Sequence, residues 1–422
     1  MGDRLESALR RLGRGAGPFQ ISEFIRPVSL LLFLGLWGLY AYAFSNPGMR
    51  DRFDNLKGTD FVLWYTLGDF GRNGDVADLY RGPAFLEERQ FALVPESKGD
   101  YYVCLYPPQM TALFAPLAGL PYLPALLIWS AIGVVAYAAC VFAVGRTCPG
   151  LRPFAGRVAL CAAAYPGFFN QICYGQCAIV SLGCVTVAYL ALDRGRPVLA
   201  GMAIGMLAFK PTLAATAIAI FLLAGEWRLL AGVALGAGLQ YGAATLAYGP
   251  DVMTAWVRAM VELGEALQPR MPKLYNMHCL RAFWSMLIPA PMIARGLYVA
   301  SALGVIFLAW RAWRRNTDIG LKFAAVLLAT VLASPHLYVY DLLILAPALL
   351  VLADRAVRSD PPPVPGLYVA LCYAVPLLGP LADMTHVQLS VPAFVIALWL
   401  LSRVRATHQV DTVRFTHPTE NP

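Results

Sequence analysis

Long apolar runs, each broken by a few polar residues, recur from one end of the chain to the other. "VSLLLFLGLWGLYAYAF" (28–44) and "LIWSAIGVVAYAACVFAV" (127–144) are typical. A helix of about 20 residues, rising about 1.5 Å per residue, crosses a hydrocarbon core of about 30 Å. A signal peptide accounts for one such run at the start of a chain, not for a dozen. The pattern predicts an all-α polytopic membrane protein.

Crossings are expected near 27–45, 122–145, 157–171, 174–192, 197–210, 211–225, 228–248, 292–310, 318–334, 338–353, 366–382 and 386–402. The segment 107–121 is apolar but short and bounded by prolines, so it is read as an interfacial helix. Three units follow: a basic N-terminus over 1–26, a single transmembrane domain over 27–402, and a polar tail over 403–422. Two long loops interrupt the membrane domain, at about 46–121 and 249–291. The first is expected to carry two helices on the membrane surface, near 60–71 and 107–119.

Composition agrees: of 422 residues, 59% are hydrophobic and 14% charged, against roughly a quarter charged in soluble proteins. The net charge of +8 is spread over short loops, which argues against a nucleic-acid partner and for membrane topology. Arginine clusters occur in the N-terminal segment and at 146–157, 193–196, 226–228, 311–315, 354–358 and 403–405. Basic residues favour the cytoplasmic side. Twelve crossings place all seven clusters and both termini there. The nine cysteines contain no CxxC pair, and a Cys104–Cys279 disulfide outside the membrane is one option.

The remaining polar residues test that topology independently. Asp60, Asn170, Gln171, Gln176, Lys210, His336 and Asp341 fall at the external ends of the spans, and Tyr275, Asn276, His278 and Arg281 in the second external loop. Ionisable groups at membrane depth are costly, so a one-sided collection marks a functional cavity. Each has a structural alternative. Asp60 or Thr59 can cap a helix, Asp69 can pair with Arg72, Lys210 can snorkel, and His336 can bond Asp341. Tyr106 and Gln109 sit in a proline-driven helix start, "YPPQ".

An aspartate after the first span is followed by "GDVADLY" (74–80) and "YPPQMTALFAPLAGLP" (106–121). Next come "YGQ" (174–176), "AGMAIGMLAFKP" (200–211) and "SPHLYVYD" (334–341). This order resembles glycosyltransferase family 87, whose best-known member is a phosphatidylinositol-mannoside mannosyltransferase. The resemblance covers about 28–400. It implies a GT-C membrane fold and a hexosyltransferase that takes a sugar, mannose in that member, from a polyprenyl phosphate. The acceptor would be a lipid or glycan hydroxyl on the extracytoplasmic face of the cell membrane, in glycolipid biosynthesis. The family's proposed catalytic base matches Asp60, its "KP" lysine Lys210 and its "SPH" histidine His336.

With Asp60 as base, an inverting displacement is expected. Lys210, His336 and Arg281 would receive the donor phosphate, and Tyr106, Gln109, Gln176, His278 and Asp341 the rest of the substrates. No DxD pair occurs in the first loop, so no metal or other cofactor is expected. Twelve crossings with both ends inside also fit a secondary transporter or flippase, although such proteins usually show internal repeats and midplane polar groups.

Overall fold

Proline begins many of the helices, because its fixed φ suits a first turn where its missing N–H is not needed. In the computed structural model, which describes residues 18–74, 76–97, 104–267 and 273–404, helices start at Pro83, Pro166, Pro197, Pro211 and Pro291. The described residues form α1 (Pro18–Phe44), α2 (Phe61–Asn73), α3 (Pro83–Leu93), α4 (Gln109–Phe114), α5 (Tyr122–Gly145), α6 (Ala155–Ala163) and α7 (Pro166–Tyr174). They continue through α8 (Ala178–Asp193), α9 (Pro197–Gly205), α10 (Pro211–Ala224), α11 (Trp227–Tyr248), α12 (Pro250–Leu267) and α13 (Leu280–Leu287). The last are α14 (Pro291–Arg315), α15 (Ile319–Ala333), α16 (Ala346–Arg358), α17 (Gly366–Ala374), α18 (Gly379–Thr385) and α19 (Ser390–Arg403). The fold is all-α, as expected. Arg4, Arg10, Arg11 and Arg14, and the tail from residue 405, lie outside the described residues.

Among the described residues, five helical stretches are long and apolar enough to cross a membrane: Pro27–Phe44, Tyr122–Gly145, Trp227–Tyr248, Pro291–Arg315 and Gly366–Thr385. They show much of their apolar surface outward, as lipid-facing helices do. The shorter apolar helices α8, α9 with its 3₁₀ extension, α10, α15 and α19 lie further inside. α15 is the extreme case, with every residue from Phe323 to Ala333 buried. A helix hydrophobic all round belongs in a core.

Several expectations need correction. The span expected over 157–171 is two helices, α6 and α7, broken at Tyr165–Pro166, since the residue before a proline avoids helical backbone. The span over 338–353 opens as a 3₁₀ turn, Val339–Leu345, before α16. The first loop carries α2, α3 and α4 rather than two helices, and the second carries α12 and α13, neither foreseen. α4 is six residues long, or about 9 Å, too short to cross. Cys104 and Cys279 are both buried free thiols, not a disulfide.

Two close approaches set the site. α9 packs on α11 backbone to backbone: a Cβ on Gly201 would sit 2.0 Å from Leu229 O, and one on Gly232 2.2 Å from Val198 O. This contact carries the turn Met206–Phe209 and Lys210 after it. α7 lies as closely on the Val339–Leu345 turn, where the Tyr165 hydroxyl donates to Leu342 O at 2.6 Å.

Among the described residues, the arginine clusters at 146–157, 226–228, 311–315 and 354–358 meet at one end of the bundle. Gly150 N donates to Asp354 Oδ1 at 2.7 Å, Arg355 Nε to Asp318 Oδ2 at 2.6 Å, Trp313 Nε1 to Glu226 Oε1 at 2.8 Å and Arg311 Nε to Ser402 O at 3.2 Å. Helix ends far apart in sequence thus meet there, and a different polar set meets at the opposite end.

Candidate active site

Four short segments converge at that opposite end: the start of α2, the turn between α7 and α8, the turn before α10, and residues 334–341 before α16. The chain reaches the first through Lys57 and Gly58, whose carbonyls both accept the Tyr122 hydroxyl at 3.0 Å. Asp60 then stands at the N-cap of α2, but its side chain caps nothing. Its backbone N donates to Tyr174 O at 3.0 Å, and its Oδ2 accepts from Gln176 Nε2 at 2.5 Å. Glycine is needed just before Gln176. Gly175 has a left-handed φ of +63°, and a Cβ there would lie 2.7 Å from the Phe61 side chain.

Asp60 is partly open to solvent, yet apolar and aromatic residues wall it in. Trp64, one turn on, is fully buried, stacked on Phe114 at 5.0 Å and 4.5 Å from Tyr106. Burial pushes the Asp60 carboxyl up to about 6, against an opposing pull from the Gln176 hydrogen bond. Asp60 makes no ion pair among the described residues.

Lys210 does not merely snorkel. Its Nζ donates to Asp341 Oδ1 at 2.6 Å and lies 5.7 Å from the Tyr340 ring centre. Asp341 is almost fully buried, and its Oδ2 accepts from Tyr338 N at 3.3 Å, closing the first turn of the 3₁₀ segment. The structural alternative in which His336 bonds Asp341 is therefore not the one formed. His336 Nδ1 is buried without a hydrogen-bond partner, and its ring meets Tyr338 edge-on at 4.9 Å. Burial, with Lys210 and Arg281 nearby, pushes the imidazole down to about 4, so His336 is neutral at physiological pH.

The second long loop closes the far side. Arg281, in the first turn of α13, donates from Nη1 to Pro335 O at 3.0 Å, beside His336. His278 lies behind the cluster, buried, with its N donating to Leu337 O and its Nδ1 2.8 Å from Ser390 Oγ. Gln109 stands off to one side, its Nε2 donating to Gln240 Oε1 at 2.9 Å and its Oε1 buried without a partner. Tyr106 is half-buried, within electrostatic reach of both Asp60 and Asp341. Asp69 pairs with Arg89, at 2.5 Å, rather than with Arg72. Among the described residues no three His, Cys, Asp or Glu side chains group as a metal site.

The structure thus brings Asp60, Gln176, Lys210, Asp341, His336, Arg281 and Tyr106 together, and leaves His278 and Gln109 at the margin. Sequence reasoning missed the tyrosines. Tyr174, Tyr338 and Tyr340 lie within electrostatic reach of Asp60, and Tyr340 also under Lys210, with Tyr338 stacked on Tyr340 at 5.6 Å and Tyr174 edge-on to Tyr340 at 5.7 Å. Their signal was present in "YGQ" and "YVYD", each beside a polar residue already singled out. Rings near one acid and one cation make a surface on which a sugar can stack while its hydroxyls meet polar groups.

No curated protein and no solved structure matches the chain. The model of glycosyltransferase family 87 matches residues 104–335, more than half of the chain, a stretch that contains Gln176, Lys210 and Arg281 and stops one residue before His336. With an all-α fold bearing helices suited to a membrane and a polar cluster at one end, the chain belongs to glycosyltransferase family 87.

Proposed function

We propose that this membrane glycosyltransferase moves a hexose, mannose by its resemblance, from a polyprenyl phosphate to a hydroxyl of a lipid or glycan acceptor, with inversion and Asp60 as general base. The observation that carries this reading is the unequal treatment of two neighbouring acids. Asp341 is neutralised by Lys210, whereas Asp60 forms no ion pair among the described residues and accepts a hydrogen bond from the Gln176 amide.

In the proposed step, the acceptor O–H proton passes to Asp60 as the acceptor oxygen bonds to the anomeric carbon. The bond from that carbon to the phosphate oxygen breaks, and its electron pair leaves with the phosphate. Lys210 and Arg281 would meet the growing charge, each already holding one partner but with donors to spare. His336, being neutral, would contribute a hydrogen bond rather than a charge. Asp341 serves by aiming Lys210, and His278 by holding the 334–341 segment from behind.

The gathering of the arginine clusters at one end supports a cytoplasmic position for that end, with Asp60 facing outward. On this reading residues 27–402 form one transmembrane domain of the GT-C type with twelve crossings. The polyprenyl chain stays in lipid and only the head group enters. Because Asp60 acts when deprotonated, turnover should rise with pH up to about 6 and level off above it.

The test is purified protein incubated with a labelled polyprenyl-phosphate hexose and a membrane lipid extract. A β-linked donor should give an α-linked product. Retained configuration would contradict the single displacement, and absence of any product would contradict the donor.

A further inference from the structure

We propose that Gln176 is a positioning residue for transfer: it holds the Asp60 carboxylate through Oδ2 and leaves Oδ1 to take the acceptor proton. The proposal rests on the assignment of Asp60 as the base.

Gln176 is 5% exposed, so its side chain is out of reach of a substrate. Its orientation is fixed at both ends. Oε1 accepts from Cys177 N at 3.1 Å, and Nε2 donates to Asp60 Oδ2 at 2.5 Å. Turning the amide over would set its NH₂ against the Cys177 N–H and its carbonyl oxygen against the carboxylate. Two donors and two acceptors would then face each other. The backbone is held as firmly, since Gln176 O accepts from Trp129 Nε1 at 3.1 Å and from Gln171 Nε2. The left-handed Gly175 aims the turn, and Tyr174 O holds Asp60 N.

The consequence is an asymmetric base. A proton on Oδ2 would point at the amide N–H, so protonation falls on Oδ1. The charged and titratable groups around Asp60 are Lys273 and Asp341, with Tyr106, Tyr174, Cys177, Tyr338 and Tyr340. The phenols and the thiol ordinarily ionise above neutral pH. The Gln176 hydrogen bond favours the ionised acid, so its loss should move the acid limb of the activity profile upward.

The experiment compares kcat against pH for the wild type, Gln176→Leu and Gln176→Glu, with Asp60→Asn as reference and a polyprenyl-phosphate hexose as donor. Gln176→Leu should shift the acid limb up by ~1–2 pH units, the equivalent of one hydrogen bond to a charged group, with the donor KM unchanged. Gln176→Glu keeps the volume, sets a second acid against Asp60 and should shift the limb further up, which keeps the test open should the leucine variant not fold. A limb that stays in place in a folded variant overturns the inference, as does a rise in donor KM without a shift. Inactive Asp60→Asn beside an unmoved limb removes only the role of Gln176. Wild-type turnover in Asp60→Asn removes the base, and this inference with it.

Discussion

The two ends of the bundle treat buried acids in opposite ways. At the arginine end, Asp354 is fully buried and accepts from Gly150 N, Arg355 and Arg358, while Asp318 caps α15 through Leu321 N and also takes Arg355. Both of these acids have more than one partner. At the other end Asp341 has a single lysine, Asp60 forms no ion pair among the described residues, and Trp64 Nε1, His336 Nδ1 and Gln109 Oε1 are buried without hydrogen bonds. Fold stability alone favours the first arrangement, because unpaired buried polar groups are costly. The second is what a site kept for a polar substrate requires.

Substitutions can break this contrast, and the largest effect should fall on Asp60. Asp60→Asn keeps the shape and removes the base, so turnover should fall ~10²–10⁴-fold with an unchanged melting temperature, read by product formation and by thermal unfolding in detergent. Lys210→Met should lower turnover by about 10²–10³-fold. It also leaves Asp341 buried without its cation, at about 3–5 kcal/mol of stability, and adding Asp341→Asn should restore the stability but not the turnover. At the other end the pattern should invert. Asp354→Asn should cost about 2–3 kcal/mol of stability, and turnover per folded molecule should stay at the wild-type value. Smallest is Gly232→Ala, which forces α11 off α9 and should destabilise by about 1–2 kcal/mol, with a modest turnover loss as Lys210 shifts.

Much of this contrast was legible in the sequence. Arginine clusters, read only by the bias of basic residues, name segments that the structure joins through Asp354, Glu226 and Asp318. Prolines before α7, α9, α10 and α14 mark helix starts in any setting, because proline acts on local backbone. Asp60, Lys210, His336 and Asp341 stood out because charge is rare in such a chain.

Choice of partner was not legible. Gln176 donates to Asp60 across 116 positions and Lys210 to Asp341 across 131, so no spacing rule reaches them. The local pairs that spacing did suggest, Asp69 with Arg72 and His336 with Asp341, lost to partners supplied by packing. α12 escaped because its many polar residues read as loop, although Val252, Trp256 and Ala259 bury one face of it. The twelve-crossing plan alone fits a transporter as well as a transferase. Family membership, not topology, separates the two.

The central claim is that one acid and one lysine face the same substrate from opposite sides. A structure with the polyprenyl-phosphate hexose bound tests it most directly. The account predicts phosphate oxygens at ~3 Å from Lys210 Nζ, with the anomeric carbon on the Asp60 side and room beside Asp60 Oδ1 for an acceptor hydroxyl. A head group seated at the Asp354 end, or a phosphate out of reach of Lys210, would contradict it.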